Sequence, residues 1–235
     1  MGNPEFEADS EQLYTPRKSL VITISGVSGT GKTRTGHDVA ETLGLEFIKI
    51  GGALRQEAKA ESGTEIISFY DRSIAKDYEL DRKTLESFNE ARETGKGFVV
   101  EGWLAGFHAY KELDRACNVQ QNSALLYRLC FTAGDETSNV RYSRILNRQR
   151  RSRPDLTLEQ IKEATEERFS ADLKNWWEAY PELNGINPWD VGEGRPAGIF
   201  YNQIIDTEHM SVPQVVQGIL DNLVYVDLVE KSGLS

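Results

Sequence analysis

The residues best suited to chemistry lie near the start, where Ile22-Thr23-Ile24-Ser25 runs into Gly26-Val27-Ser28-Gly29-Thr30-Gly31-Lys32-Thr33. This is a G-x-x-x-x-G-K-T pattern. A polyphosphate needs several backbone N–H donors converging on it, a cation, and a hydroxyl to hold its metal. Gly26, Gly29 and Gly31 allow the backbone to wrap closely around an anion in conformations that other residues resist. Lys32 is then expected to reach the β- and γ-phosphates and the Thr33 hydroxyl to ligate Mg²⁺, so that ATP and Mg²⁺ are the implied ligands.

A second group of cations lies more than a hundred residues later. Between positions 141 and 153 the chain carries Arg141, Arg144, Arg148, Arg150, Arg151 and Arg153. Arg141, Arg144, Arg148 and Arg151 follow three- and four-residue steps, which a helix would place on one face. Arginine binds phosphate bidentately and keeps its charge when shielded from water. The pattern reads as a mobile lid that closes Arg144 and Arg148 over phosphates during transfer; a solvated basic helix or a nucleic-acid patch is the alternative.

These two groups need a scaffold, and the apolar pattern supplies one. Short apolar runs at about Ser19–Ser25, Phe47–Ile50, Phe98–Gly102, Ala124–Phe131 and Tyr201–Ile205 alternate with helical stretches: Arg34–Leu43, Ala53 into the Glu65–Tyr70 region, Arg82–Arg92, Leu156–Tyr180 and Val212–Leu223. Unbroken apolar strands separated by helices predict a five-stranded parallel sheet covered on both faces. Residues 1–18 and 229–235 read as tails around one domain at 19–228. Helical patterning spans about 53–92, and the lid about 144–180. Residues 181–198, rich in Gly, Pro and Asn, read as a long loop, and Trp176-Trp177 as packing.

The chain has 235 residues and a net charge of −10. That balance disfavours broad binding to nucleic acid or anionic membranes, which need a positive surface. Cys117 and Cys130 are too few for a disulfide framework. No apolar stretch reaches membrane-span length and no signal-peptide pattern is visible, so a cytoplasmic location is expected. His37, His108 and His209 have no ligand-like spacing and receive no role.

Taken in order, the motifs resemble the nucleoside-monophosphate kinase family of P-loop kinases, nearest its archaeal-type cytidylate kinase branch. Beyond the glycine-rich loop, Ile50-Gly51-Gly52-Ala53-Leu54-Arg55 is similar to the family's glycine turn and acceptor-phosphate arginine. Glu79-Leu80-Asp81-Arg82 is similar to its acceptor-helix stretch, and Val100-Glu101-Gly102-Trp103-Leu104-Ala105-Gly106 to its Glu-Gly-Arg-Leu-Ala-Gly signature. Arg141 to Arg148, Glu167-Arg168, Tyr201, Ile204-Ile205-Asp206-Thr207 and the helix from Ser211 continue the likeness. The resemblance implies a three-layer α/β/α P-loop NTPase fold with a small helical lid. It also implies transfer of the γ-phosphoryl group of ATP to a small-molecule nucleotide acceptor, CMP or dCMP. Arg55, Asp81, Glu101, Gly102, Trp103 and Arg168 would then bind the acceptor, with Glu101 able to orient metal-bound water.

Three positions depart from that pattern. Trp103 stands where the signature has an arginine, Asn175 replaces a lid arginine, and Asn202 replaces an aspartate. The loss of a charge at Trp103 keeps open a kinase of a hydroxyl acceptor (a sugar, a nucleoside or a coenzyme precursor) with Glu101 receiving the hydroxyl proton. A nucleotide-dependent regulatory ATPase is the third class. The concentration of arginine favours a transferase over that switch.

Overall fold

The computed structural model describes residues 13–17, 19–50, 74–116, 125–134, 138–151 and 153–232. In chain order the elements are β1 (Tyr14–Pro16), β2 (Leu20–Gly26), α1 (Lys32–Leu43), β3 (Glu46–Lys49), α2 (Ile74–Thr94), β4 (Phe98–Glu101) and α3 (Ala105–Ala116). There follow β5 (Leu125–Thr132), α4 (Val140–Gln149), α5 (Leu158–Ala179), β6 (Gln203–Asp206), α6 (Val212–Tyr225) and β7 (Val229–Lys231). Arg55 and the helical stretch expected from Ala53 lie outside the described residues.

Five strands form one sheet in the order β3-β4-β2-β5-β6, and every pairing is parallel. Central β2 is buried along its whole length, as its unbroken apolar run requires. One face packs against α1 and α6 through Ile22, Ile24, Val39, Leu43, Ile219 and Leu223. The other face packs against α2 and α3 through Val21, Val100, Phe88, Phe98, Ala105 and Ala109. The expected three-layer architecture is therefore present, and all strand carboxyl ends point to one edge. In open α/β sheets that edge is where ligands bind.

The two ends of the chain differ from expectation. Tyr14–Pro16 and Val229–Lys231, read from sequence as parts of tails, pair antiparallel with each other. Tyr14 and Val229 are both buried in the α1/α6 core. Residues 181–198 also hold more structure than a loop, with short 3₁₀ turns at Pro181–Leu183 and Pro196–Phe200. Leu183, Trp189 and Ala197 join Trp176 in a third core cluster. Glycine and proline shaped the turns while the large residues between them supplied the packing.

α4 and α5 form the small helical lid. Tyr142, Ile145, Leu146 and Ile161 give it a core of its own. α5 opens on a reciprocal capping box, Thr157 accepting from the Gln160 N–H at 3.2 Å while the Gln160 side chain accepts from the Thr157 N–H at 3.0 Å. It runs unbroken for 22 residues. α4 stops at Gln149, so Arg151 lies beyond the helix and does not share the face of Arg141, Arg144 and Arg148. Pro154 follows closely and restricts Arg153 to non-helical backbone.

Candidate active site

The turn from β2 into α1 is built for an anion. Gly26, Gly29 and Gly31 have φ of 135°, 89° and 91°, a region that side chains resist. At Gly29 space is also decisive, because a Cβ would sit 2.5 Å from the Arg141 carbonyl oxygen. At Gly26 it would meet the Phe131 carbonyl oxygen at 2.3 Å. Gly31 is open to its surroundings, so φ alone selects glycine there. α1 begins immediately afterwards without a side-chain cap, leaving its first N–H groups for a ligand. Thr30 is buried and its hydroxyl donates to the Val27 carbonyl at 3.0 Å, which holds the turn closed from within. Val27 packs on the aromatic cluster below.

Lys32 is only 5% exposed, and its ammonium donates to the carbonyls of Gly26 at 2.6 Å and Val27 at 2.8 Å. The Thr33 hydroxyl donates to Oε2 of Glu101 at 3.0 Å. Glu101 ends β4, next to β2, and is buried. Gly102 N–H donates to the Ile24 carbonyl at 3.3 Å, which locks that strand end to the phosphate loop. A hydroxyl and a carboxylate in contact, beside a cradle for phosphate oxygens, make a hard-oxygen donor set that suits Mg²⁺. Thr33 and Glu101 are the residues that would hold it.

A cleft of about 220 Å³ opens over this pair. Ser28, Gly29, Gly31, Lys32, Thr33 and Arg34 form one wall, Glu101 and Trp103 the floor, and Arg144, Ile145 and Arg148 of α4 the far wall. Residues 32 and 148 thus share one cavity, as their chemistry required. The arginines of α4 nevertheless differ in role. Arg144 donates through Nη1 to the Thr207 hydroxyl at 3.1 Å and through Nη2 to the Thr207 carbonyl at 2.7 Å, with longer contacts of 3.4 Å to the Gly29 and Glu208 carbonyls. It braces the phosphate loop against the end of β6. Arg141 turns aside to Glu166 and to the Tyr142 hydroxyl. Arg148 is exposed on the cleft wall.

The remaining sequence candidates separate. Trp103 reaches the cleft, and its ring carries the Arg168 guanidinium at 4.4 Å. Arg168 pairs with the buried Asp172 at 3.4 Å. The Trp103 carbonyl accepts from the indole of Trp189 at 3.2 Å, so residues 181–198 hold this corner in place. Asp81 is not on the cleft wall; its carboxylate meets His108 and the Tyr180 hydroxyl in the interior. Asn202, at the position of the substituted aspartate, accepts from the Arg128 backbone N–H at 2.9 Å and its Nε at 3.0 Å. Burial lowers the Arg128 pKa, the direction expected for a cation withdrawn from water.

Two residues of the site received no role from the sequence. Arg34 on the cleft wall is paired with Asp38 at 3.2 Å, an ordinary i,i+4 surface pair by sequence. Thr207 is buried, and its hydroxyl lies 2.9 Å from both the Thr30 and the Thr132 carbonyls while receiving Arg144. Its place in the family-like run Ile204-Ile205-Asp206-Thr207, directly after an apolar strand, pointed to the residue but not to what it does.

A family model described as an AAA domain matches residues 25–162, from the end of β2 into the lid. A cytidylate kinase of Archaeoglobus fulgidus is 31% identical over 201 residues, covering 86% of this chain and 93% of that one. The chain belongs to the P-loop nucleoside-monophosphate kinases. A cytidylate kinase of Methanopyrus kandleri is 29% identical over 198 residues, covering 82% of this chain and 87% of its own. In fold alone, the P-loop kinase is similar to a solved but uncharacterized protein from Eubacterium ventriosum, with a TM-score of 0.53 at 13% identity over 88% of this chain and 99% of that one. Among the described residues of the kinase, no helix is long and apolar enough to cross a membrane.

Proposed function

We propose that this chain moves the γ-phosphoryl group of ATP to a nucleoside monophosphate, CMP or dCMP. The observation that carries the reading is that Lys32, Thr33, Glu101, Trp103 and Arg148 line one and the same cleft. ATP lies with its phosphates on residues 26–33, and Lys32 leaves the Gly26 and Val27 carbonyls to meet them. Thr33, with Glu101 behind it, would hold Mg²⁺, which would supply charge neutralisation at the phosphate oxygens. The acceptor's attacking oxygen belongs to a phosphate already ionised near neutral pH, so no side chain must remove a proton. Catalysis is then positioning plus electrostatics. Lys32 and Arg148 stabilise the transferring group, Arg144 holds the loop beneath it, and Arg168 with Arg55 binds the acceptor's phosphate.

The relatives named as cytidylate kinases support a pyrimidine monophosphate at this site. One observation favours a second reading. The aromatic floor at Trp103 suits an uncharged acceptor, for which Glu101 would accept the hydroxyl proton. The cations on the walls favour the phosphate. The test offers ATP·Mg²⁺ with a panel of ribo- and deoxyribonucleoside monophosphates, nucleosides and sugars, and follows ADP release. Turnover confined to a non-phosphorylated acceptor would refute the proposal.

A further inference from the structure

A buried polar group lies outside the residues that line the cleft. Nε2 of His108 on α3 lies 2.9 Å from Oδ1 of Asp81 on α2, in polar contact without hydrogen-bond alignment. The Tyr180 hydroxyl, at the end of α5, donates to the other carboxylate oxygen. His108 is 3% exposed, and aromatic rings surround it, Tyr180 at 5.3 Å and Phe107 at 5.4 Å between centroids. Lys111 Nζ lies over the Phe107 and Tyr180 rings and pairs with Glu182 at 2.6 Å. Removing a carboxylate from water costs several kcal/mol before its partners compensate, so an apolar junction would hold three helices together at least as well. What the polar one adds is a defined geometry, since a carboxylate with two fixed partners has few alternative placements.

The position of this group shows what that geometry governs. α2 returns to β4 through only Gly95, Lys96 and Gly97, so it runs antiparallel to β4. Its first turns therefore lie at the edge where β4 delivers Glu101 to the cleft. Asp81 is seven residues into α2, about 10 Å from its start. α3 leaves the cleft floor directly after Trp103 and Leu104, with His108 in its first turn. α5 carries Arg168, which covers the Trp103 ring, and its partner Asp172. One carboxylate thus joins the leading half of α2, the helix leaving the cleft floor, and the helix that places Arg168.

We propose that His108 and Tyr180 are positioning residues. Acting through Asp81, they fix the acceptor-side half of α2 against α5, so that the groups recognising the acceptor are assembled before it arrives. The inference rests on the phosphotransfer reading in taking that side of the cleft as the acceptor's.

Steady-state kinetics on the full chain test it, with ATP·Mg²⁺ saturating and the monophosphate varied, in Tyr180→Phe, His108→Gln and the double variant. Each single change is expected to raise the acceptor KM five- to twenty-fold while kcat and the ATP KM stay within twofold. The double variant should show less than the product of the two effects, because both act on one carboxylate. A lowered melting temperature with an unchanged acceptor KM would make the group purely structural and overturn the proposal, and so would a fall in kcat alone. Amide hydrogen exchange of the same variants decides the matter independently of turnover. Tyr180→Phe should speed exchange at least tenfold in residues 79–85 of α2, and unchanged exchange there refutes the coupling. A wild-type chain inactive with every monophosphate would refute the phosphotransfer reading and leave that exchange measurement to judge the tie.

Discussion

Thr207→Val separates a braced arginine from a swinging one. The substitution keeps the shape of a buried side chain and removes one hydroxyl. That hydroxyl sits 2.9 Å from the Thr30 and Thr132 carbonyls and accepts from Arg144 at 3.1 Å. One proton serves two carbonyls, so the loss amounts to one neutral hydrogen bond, about 1 kcal/mol, and one charged bond, about 2 kcal/mol. Arg144 keeps the Thr207 backbone carbonyl at 2.7 Å, which holds the total near the lower end, about 2 kcal/mol. For a domain of this size that corresponds to a melting-temperature drop of about 4–8 °C. If Arg144 braces the loop on which the phosphates sit, roughly 1.4 kcal/mol of that loss should reach the transition state, giving about a tenfold fall in kcat. Thermal melts without ligand and a coupled ADP assay measure the two quantities, and Thr207→Ser should restore both. A Thr207→Val protein that melts within 1 °C of wild type and turns over normally would refute the bracing argument. So would one in which kcat falls although stability is intact, because Arg144 would then act on the phosphoryl group directly.

Gly29→Ala should be far more damaging than Gly31→Ala in thermal melts without nucleotide, because the first drives a Cβ to 2.5 Å from backbone while the second meets nothing within 4 Å. Backbone strain of order 1–3 kcal/mol is common to both, so equal melting temperatures would show that the contact with Arg141 yields. Arg148→Ala should lower kcat by roughly 10³-fold with ATP affinity nearly unchanged, and Lys32→Ala should abolish turnover; equal losses in kcat and affinity would make Arg148 a ground-state binder. Stability should decline above pH 9. Burial pushes the Cys130 thiol up from 9.0 to about 12 and the Tyr127 hydroxyl up to about 12, and raises Tyr201 as well. Between those values the unfolded chain has released protons that the folded one retains, so ΔG of unfolding falls with pH, by about 1.4 kcal/mol per unit per group at most. Urea midpoints at pH 8 and pH 10.5 measure this, and equal midpoints would contradict the burial of these groups.

Much of the scaffold was legible because its signals are local. An apolar run that breaks into three glycines and a lysine has few other solutions, and all five strands stand within two residues of their expected bounds. The helix carrying Arg144 and Arg148 was legible only through the three- and four-residue spacing of its arginines. Its side-chain directions were not. Steps of three and four place Arg141, Arg144 and Arg148 on one face, but partners brought from elsewhere in the chain divide them. Glu166 takes Arg141 and Thr207 takes Arg144. Asp81 shows the same limit. Its place in a family-like stretch suggested the acceptor, whereas the structure gives it to a histidine and a tyrosine 27 and 99 positions later. The pairing of Tyr14–Pro16 with Val229–Lys231 joins the two ends of the chain, a contact that no window of sequence contains. The segment 181–198 looked like a loop because its punctuation is loop-like, and the anchoring is done by single large residues such as Trp189.

Those large residues bear on the substitution at Trp103. An arginine there would project a charge from the strand end; the indole instead lies between Trp176 and Trp189, with ring centroids at 5.6 and 5.2 Å. Its carbonyl is held by the Trp189 indole, and its face is covered by the Arg168 guanidinium. Trp189 comes from residues 181–198, so Trp103 and that segment form one structural unit. This corner of the cleft still holds a guanidinium, now delivered by α5 and stacked on an aromatic ring. A charge rooted in a strand is fixed by the sheet, whereas a charge carried on α5 is only as well placed as that helix. The aromatic packing around Trp103 and the Tyr180–Asp81 contact restrain α5, and the Arg168–Asp172 pair orients the guanidinium on it. Rigidity in that helix is what the displaced charge requires.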